Sequence, residues 1–246
     1  MTQARNSGPA LSLRQVTRSY STEAGRVLAL NKVSLDVYPG TWTAVMGPSG
    51  SGKSTFLHAA AGLERVDSGQ VLLGDFDITA APDDVLTALR REKIGFVFQS
   101  FNLVQSLTAA QNVALPLRLA GRRPGHGTIS AALSSVGLAE RMSHRPRELS
   151  GGQQQRVAIA RAMVTTPQVL FADEPTGALD SGAAATVLGL LRGMVESGQT
   201  VVMVTHDPAA AAHADATLFL RDGCTVDWLA GGSAAQVADR LVQLEA

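Results

Sequence analysis

The sequence predicts an α/β fold: a mostly parallel sheet, an antiparallel β part towards the N-terminus, and an inserted helical subdomain. Three observations carry that expectation. Gly47-Pro48-Ser49-Gly50-Ser51-Gly52-Lys53-Ser54-Thr55 fits G-x-x-x-x-G-K-[ST], with a short apolar run at 42–46 before it and a helix-like run at 56–61 after it. The stretches 169–172 and 200–204 are continuously apolar, as strands buried on both faces require. Between them and the first strands, roughly 100–165 shows helical patterns and no strand pattern.

The glycine-rich loop reads as a phosphate seat on physical grounds. Gly47, Gly50 and Gly52 let the backbone turn its N–H groups inward, where they and the start of the next helix make a concave, positively polarised surface. In that setting Lys53 reaches the β and γ phosphates and Ser54 offers its hydroxyl to Mg²⁺. The competing reading is a glycine-rich turn that matches by chance.

At 246 residues the chain can bury one large core, or a core with a smaller inserted unit. Lys plus Arg and Asp plus Glu are 21 each, so no basic field calls for nucleic acid. The arginine clusters at 122–123 and 141–147 read as solvated loops. Charged residues make up 17%, below the usual value of about 25%, which fits a surface partly covered by a partner. Cys224 is the sole cysteine, so no internal disulfide can form. Residues 1–10 are polar, without an apolar h-region, and read as a loose tail. No run approaches the roughly 18 apolar residues of a membrane span.

Along the chain, Leu11, Leu13 and Val16 begin a strand, and Val33, Leu35 and Val37 alternate with polar residues until Pro39-Gly40 turns the chain. Tyr20 falls between them, in a segment (18–21) that reads as a loop. After the loop–helix unit, 70–73 reads as a strand, and Pro82 opens a helix to about Glu92 with Val85, Leu86 and Leu89 on one face. A strand at 94–98 ends in Gln99, on the edge where α/β sheets hold ligands.

Within the helical stretch, Thr108 and Gln111 make a capping box for a helix that carries Val113, Leu117 and Ala120 on one face. A second short helix follows, up to Gly137. Ser150 and Gln153 make another capping box, and its helix runs until Pro167 stops it. Ser150-Gly151-Gly152 is open to two readings, a plain loop before a capped helix or a second set of bared N–H groups facing an anion.

Asp173 and Glu174 stand at the end of the apolar strand 169–172, beside the phosphate loop if the two strands are neighbours in the sheet. One acid can support Mg²⁺ and the next can orient or deprotonate a water; helix capping is the other possibility. A helix follows Asp180, with Val187, Leu190, Leu191, Met194 and Val195 at helical spacing, and Gly198 ends it. His206 directly follows the strand 200–204, where it is either structural or faces the nucleotide edge. Asp222-Gly223 signals a hairpin, and 234–244 makes a last amphipathic helix with Val237, Leu241 and Leu244 inward.

Taken together, the phosphate loop, Gln99, Leu149-Ser150-Gly151-Gly152-Gln153, the strand 169–172 with Asp173-Glu174, Gly177-Ala178-Leu179-Asp180 and His206 resemble the nucleotide-binding subunit of an ATP-binding-cassette (ABC) transporter. Order and spacing match from about Leu11 to Val226. The segments 94–107, 112–116 and 172–180 are similar to the branch that includes macrolide exporters, lipoprotein-release ATPases and the cell-division ATPase. The resemblance implies a P-loop NTPase (RecA-like) core at 11–99 and 166–230, a helical signature subdomain at 100–165 and a C-terminal helix at 231–246.

It also implies roles. Tyr20 would stack on adenine, Gly47 to Thr55 would hold the phosphates, Gln99 would sense Mg²⁺ and water, and Asp173 would support the metal. Glu174 would be the general base, with His206 on the γ-phosphate. Ser150, Gly151, Gly152 and Gln153 would face ATP held by a second copy, with Asp180 linking the two sites of a head-to-tail homodimer. A permease helix would dock near Ser100, Phe101, Leu103 and Val104. The expected function is ATP hydrolysis that powers a membrane permease exporting or extracting hydrophobic compounds, lipoproteins or peptides. The chain would then sit on the cytoplasmic face. The alternative is a regulatory ATPase whose membrane partner controls an extracytoplasmic enzyme.

Overall fold

A computed structural model describes residues 8–22 and 25–245 of the chain. Most of the segment read as a tail, residues 1–7, therefore lies outside the described residues. Ala10, its last residue, belongs to the fold: it is buried and its N–H donates to the Val37 carbonyl.

The antiparallel part is a four-stranded sheet in the order β2-β1-β4-β5, formed by β1 (Leu11–Thr22), β2 (Gly25–Val37), β4 (Ser68–Leu73) and β5 (Phe76–Asp77). Tyr20 pairs with Val27 across β1 and β2, so it lies in a strand and not in the expected loop. The register shifts between Val16, Arg18 and Ser19. Polar residues outnumber apolar ones there because this end of the hairpin extends past the core, and a strand without a buried face shows no alternation.

The second sheet has six strands in the order β10-β9-β3-β8-β7-β6. Here β3 (Trp42–Met46), β6 (Ile94–Val97), β7 (Val169–Asp173), β8 (Thr200–Val204) and β9 (Ala216–Arg221) are parallel, and β10 (Cys224–Ala230) is antiparallel at one edge. Asp222 and Gly223, at φ 50° and 74°, make the tight turn between β9 and β10 with the left-handed conformations such a hairpin needs.

Both faces are covered at the centre of this sheet, which is why β3, β7 and β8 are mostly apolar and buried, while the edge strand β10 alternates with exposed residues. Ala44, Met46, Leu170, Ala172, Val201 and Met203 point to one core, and Val45, Val169, Phe171, Val202 and Val204 point to the other. The first core is closed by α3 (Ala109–Leu119), α4 (His126–Ser135), α5 (Gly151–Met163), α6 (Ser181–Glu196) and α8 (Ala234–Glu245). The second is closed by α1 (Lys53–Ala60), α2 (Asp83–Lys93) and the antiparallel sheet. A four-residue helix, α7 (Pro208–Ala211), follows β8. The class is therefore α/β, with a mostly parallel core sheet carrying an antiparallel β part and a helical insertion.

Both capping boxes form. Gln111 N–H donates to Thr108 Oγ1 (3.2 Å) while Thr108 N–H donates to Gln111 Oε1 (2.9 Å). Ser150 and Gln153 repeat the exchange at 3.3 and 2.9 Å. Asn112, fully buried, accepts from Val104 N–H (2.8 Å) and donates to the carbonyls of Val104, Leu107 and Thr108, which moulds the segment leading into α3. No helix among the described residues is long and apolar enough to cross a membrane.

Candidate nucleotide-binding and hydrolysis site

Parallel strands end on one edge, so the sheet collects on that edge the residues that follow β3, β6, β7 and β8. Val45 pairs with Val204 and Val204 with Asp173, so three strands run level just before their ends. Two residues beyond Val45 the loop begins at Gly47, two beyond Val204 stands His206, and Glu174 follows Asp173. The strands of the phosphate loop and of the two acids are not adjacent, because β8 lies between them. The sideways distance is bridged by side chains instead.

Glu174 occupies the middle. One carboxylate oxygen lies 2.7 Å from His206 Nδ1, and the other accepts from the Thr205 hydroxyl at 3.2 Å. Its side chain is 15% exposed, against 70% for His206. The backbone at Glu174 is left-handed, φ 46°, a strained conformation for a non-glycine residue, and is pinned on both sides. Its N–H donates to the Val204 carbonyl (2.9 Å) and its carbonyl accepts from Gly177 N–H (3.0 Å). Thr205 is fully buried and is not among the residues that the motifs mark; its signal in the sequence is a hydroxyl directly after an apolar strand and before His206.

The loop is shaped to receive an anion. Gly47, Gly50 and Gly52 have φ of 151°, 79° and 100°, and α1 starts at Gly52 with no side-chain cap and no acid in its first turn. Its first N–H groups therefore face outward under the positive end of the helix dipole. Lys53 arches back to donate to the carbonyls of Gly47 and Pro48, each at 2.7 Å. Burial lowers its pKa, and Glu174 nearby pulls it the other way.

Ser54 is exposed in the first turn of α1, and Asp173 is half-buried. Burial raises the Asp173 pKa, the charge of His58 opposes this and that of Glu174 adds to it. Among the described residues this desolvated carboxylate has no hydrogen-bonded cation, and with the exposed Ser54 hydroxyl at the start of α1 it fits a magnesium ion that takes its other ligands from phosphate and water. Among the described residues no three His, Cys, Asp or Glu cluster as metal ligands.

The raised pKa carries a sign. Asp173 holds its proton to higher pH in the folded chain than in the unfolded one, so stability declines as pH rises through the carboxylate range. Asp173→Asn therefore raises the Tm of the nucleotide-free chain at pH 7 and loses that advantage below about pH 4. Melts across pH check it; an unchanged Tm at pH 7 would show the carboxylate is already well solvated.

The other expected site residues take the following places. Gln99 is exposed beyond β6, its amide nitrogen 2.8 Å from where a side chain on Gly177 would begin. Tyr20 reaches the first turn of α1, its hydroxyl 3.4 Å from Thr55 Oγ1. Asp180 caps α6 through Ala183 N–H (2.9 Å). Ser150 is exposed at the start of α5, where Gly151 and Gly152 occupy the first turn. A Cβ on Gly152 would come within 2.7 Å of the Ala183 Cβ, whereas one on Gly151 would find ordinary contacts at 3.6 Å and beyond. Of the two glycines, the second is required by packing against α6 and the first is free to face a ligand.

In the expected docking segment, Ser100 and Val104 face solvent and Phe101 is half-buried. Leu103 is a correction: it is 8% exposed and part of the core, because the Asn112 bonds turn it inward. A cavity of about 860 Å³ between α4, α5 and α6 is lined by apolar and uncharged polar residues such as Met163, Leu190, Met194, Thr186 and Gln199.

A family model described as ABC transporter matches residues 30–177. The chain is 43% identical over 221 residues to the macrolide export ATP-binding/permease protein MacB of Marinobacter nauticus, covering 89% of this chain and 34% of that protein. It is 45% identical over 215 residues to an uncharacterized ABC transporter ATP-binding protein, YvrO, of Bacillus subtilis, covering 87% of this chain and 94% of that protein. The chain thus spans about a third of the macrolide-export relative and nearly all of the second. A dimeric ATP-binding cassette solved in a post-hydrolysis state with ADP and Pi superposes with a TM-score of 0.82 at 40% identity, covering 89% of this chain and 98% of that one. With the phosphate loop, the two acids and the signature segment placed as described, the chain belongs to the ABC transporter family, as an ATP-binding cassette.

Proposed function

We propose that ATP hydrolysis by this chain drives a membrane permease of the exporter or extractor type, handling hydrophobic compounds, lipoproteins or peptides from the cytoplasmic face. The observation that supports this most is the pinned carboxylate of Glu174, set between Thr205 and His206 and close enough to Lys53 to oppose the lowering of its pKa by burial. The macrolide-export name of the first relative favours the exporter branch.

In this reading Gly47 to Thr55 hold the phosphates, and Tyr20 supports the base. Lys53 leaves the loop carbonyls for the β and γ oxygens. Ser54, Gln99 and Asp173 would hold a magnesium ion, which would supply charge neutralisation when bound. Glu174 accepts a proton from the attacking water, and His206 orients the γ-phosphate. Ser150 to Gln153 present the start of α5 to the nucleotide of a second copy, with Asp180 at the seam, so the terminal phosphate joins two chains and its cleavage lets them part. The dimeric state of the solved relative supports a pair of cassettes.

Docking of the permease near Ser100, Phe101 and Val104 gains support from a neighbouring cleft of about 290 Å³, lined by Arg90, Arg91, Arg161, Asn102 and Pro116 among others. Among the described residues no acid lines it, and the Arg90 Nε is buried without a partner. Arg161, its pKa lowered by burial, donates to the carbonyls of Phe101 and Asn102. Such a basic recess beside an exposed valine suits an acidic and apolar cytoplasmic segment. Affinity purification from detergent-solubilised membranes of the source cells is expected to recover an integral-membrane protein with the wild-type chain, and about tenfold less with Arg90→Glu or Val104→Glu. Recovery unaffected by both changes would move the docking surface elsewhere, and recovery of soluble proteins alone would remove the permease.

A further inference from the structure

We propose that Glu64 is a positioning residue for the nucleobase, acting through Tyr20, and that its grip leaves stacking as the only way Tyr20 reads a base. The inference rests on the ATP reading above.

Glu64 lies in the connection between α1 and β4 and grips both ends of one short strand segment. Its Oε2 accepts from the Tyr20 hydroxyl at 2.6 Å, and its Oε1 accepts from Arg18 Nε at 2.9 Å and Nη2 at 2.7 Å. The Arg18 guanidinium in turn lies over the Tyr20 ring, 4.9 Å from its centroid. Asp67 completes the brace, accepting from Arg18 Nη1 (3.0 Å), Ser19 N–H (2.9 Å) and Arg26 Nη2 (3.2 Å). Isolated surface ion pairs contribute little because long side chains keep their freedom. Here a bidentate guanidinium is shared by two carboxylates, and the side chains of Arg18, Glu64 and Asp67 are only 21–26% exposed.

The consequence for Tyr20 is conformational. Its ring is clamped at the hydroxyl and covered on one face before any nucleotide arrives, at the open end of the hairpin where β1 has lost its core support. A ring held in place spares the ligand the cost of ordering it. The hydroxyl proton is committed to Glu64, and among the described residues Thr55 is the other neighbour at hydrogen-bonding range, so the hydroxyl has no proton to offer the edge of a base. Every base has a π-face, and recognition by stacking alone tolerates exchange of one purine for another.

The test uses the full chain, with steady-state ATPase kinetics and direct binding of the fluorescent analogue mant-ATP. Glu64→Ala is expected to raise the KM for ATP and the Kd for mant-ATP about 5- to 20-fold, with kcat within about twofold of wild type. Glu64→Gln keeps an acceptor for the hydroxyl but loses the charge that holds Arg18, and falls between. In a Tyr20→Ala background, Glu64→Ala adds nothing further, because its effect passes through the ring. GTP is hydrolysed with a KM within about fivefold of that for ATP. An unchanged KM in Glu64→Ala overturns the proposal, as does an equal loss in the Tyr20→Ala background, which marks a purely structural role. A preference for ATP above about 100-fold overturns reading by stacking alone. Wild-type chain that fails to bind mant-ATP overturns the nucleotide reading itself, and this inference with it.

Discussion

Glu174→Gln is expected to lower kcat for ATP hydrolysis about 10²- to 10⁴-fold while leaving ATP affinity within a few-fold of wild type. The substitution is close to isosteric, and the surroundings allow it to stay in place. The amide oxygen still accepts from the Thr205 hydroxyl, and the amide N–H₂ faces the ring nitrogen of His206, which takes a neutral donor as readily as a carboxylate. The strained backbone is fixed by Val204 and Gly177 whatever the side chain. What disappears is the capacity to take a proton from water. Because the γ-phosphate then survives, the variant accumulates the ATP-joined pair, visible by light scattering as a doubling of mass on adding ATP. Undiminished turnover would remove Glu174 from its role. A variant that hydrolyses poorly yet stays monomeric at high protein and ATP would leave the base intact and remove the shared site.

The legible part of this chain was the part where one element carries its own pattern. Strands buried on both faces are continuously apolar, so β7 and β8 declared themselves, and with them the acids and the histidine at their ends. Capping boxes and the Asp222-Gly223 turn are local chemistry, fixed by residues three apart or adjacent, and both form as read. What stayed hidden depends on pairs distant in sequence. Tyr20 read as a loop residue because its strand end has no buried face, and the Arg18–Glu64–Asp67 brace joins residues 46 and 49 positions apart. Leu103 read as surface because nothing near it announces that Asn112 draws the segment inward. The insertion of β8 between β3 and β7 is a matter of sheet order, which strand sequences alone do not encode.

The second large effect is expected at Gly52, for a reason the phosphate motif does not contain. A motif reading assigns its glycines to the front of the loop, where N–H groups meet phosphate. The back of the loop is equally constrained. A Cβ on Gly52 would lie 2.1 Å from the Ala29 carbonyl oxygen in β2, and one on Gly47 would lie 2.0 Å from the Leu220 carbonyl oxygen in β9. Ser51 meanwhile accepts from Gly223 N–H at 3.1 Å, and Asn31 donates to the Gly223 carbonyl at 2.8 Å. The loop is thus wedged between β2 and the β9–β10 turn, backbone against backbone, with no flexible side chain to yield. Gly52→Ala adds a left-handed penalty to this overlap, together roughly 2–5 kcal/mol. For a chain of this size that lowers Tm by roughly 5–15 °C without any nucleotide present. Gly50→Ala supplies the contrast, since Gly50 also has positive φ but a Cβ there meets nothing within 4 Å. Its cost in the nucleotide-free chain is the conformational penalty alone, about 1–2 kcal/mol. Melting curves of the two variants separate the causes. A Gly52→Ala chain that melts with Gly50→Ala would mean the wedge yields without cost, and would return the glycine to the phosphate alone.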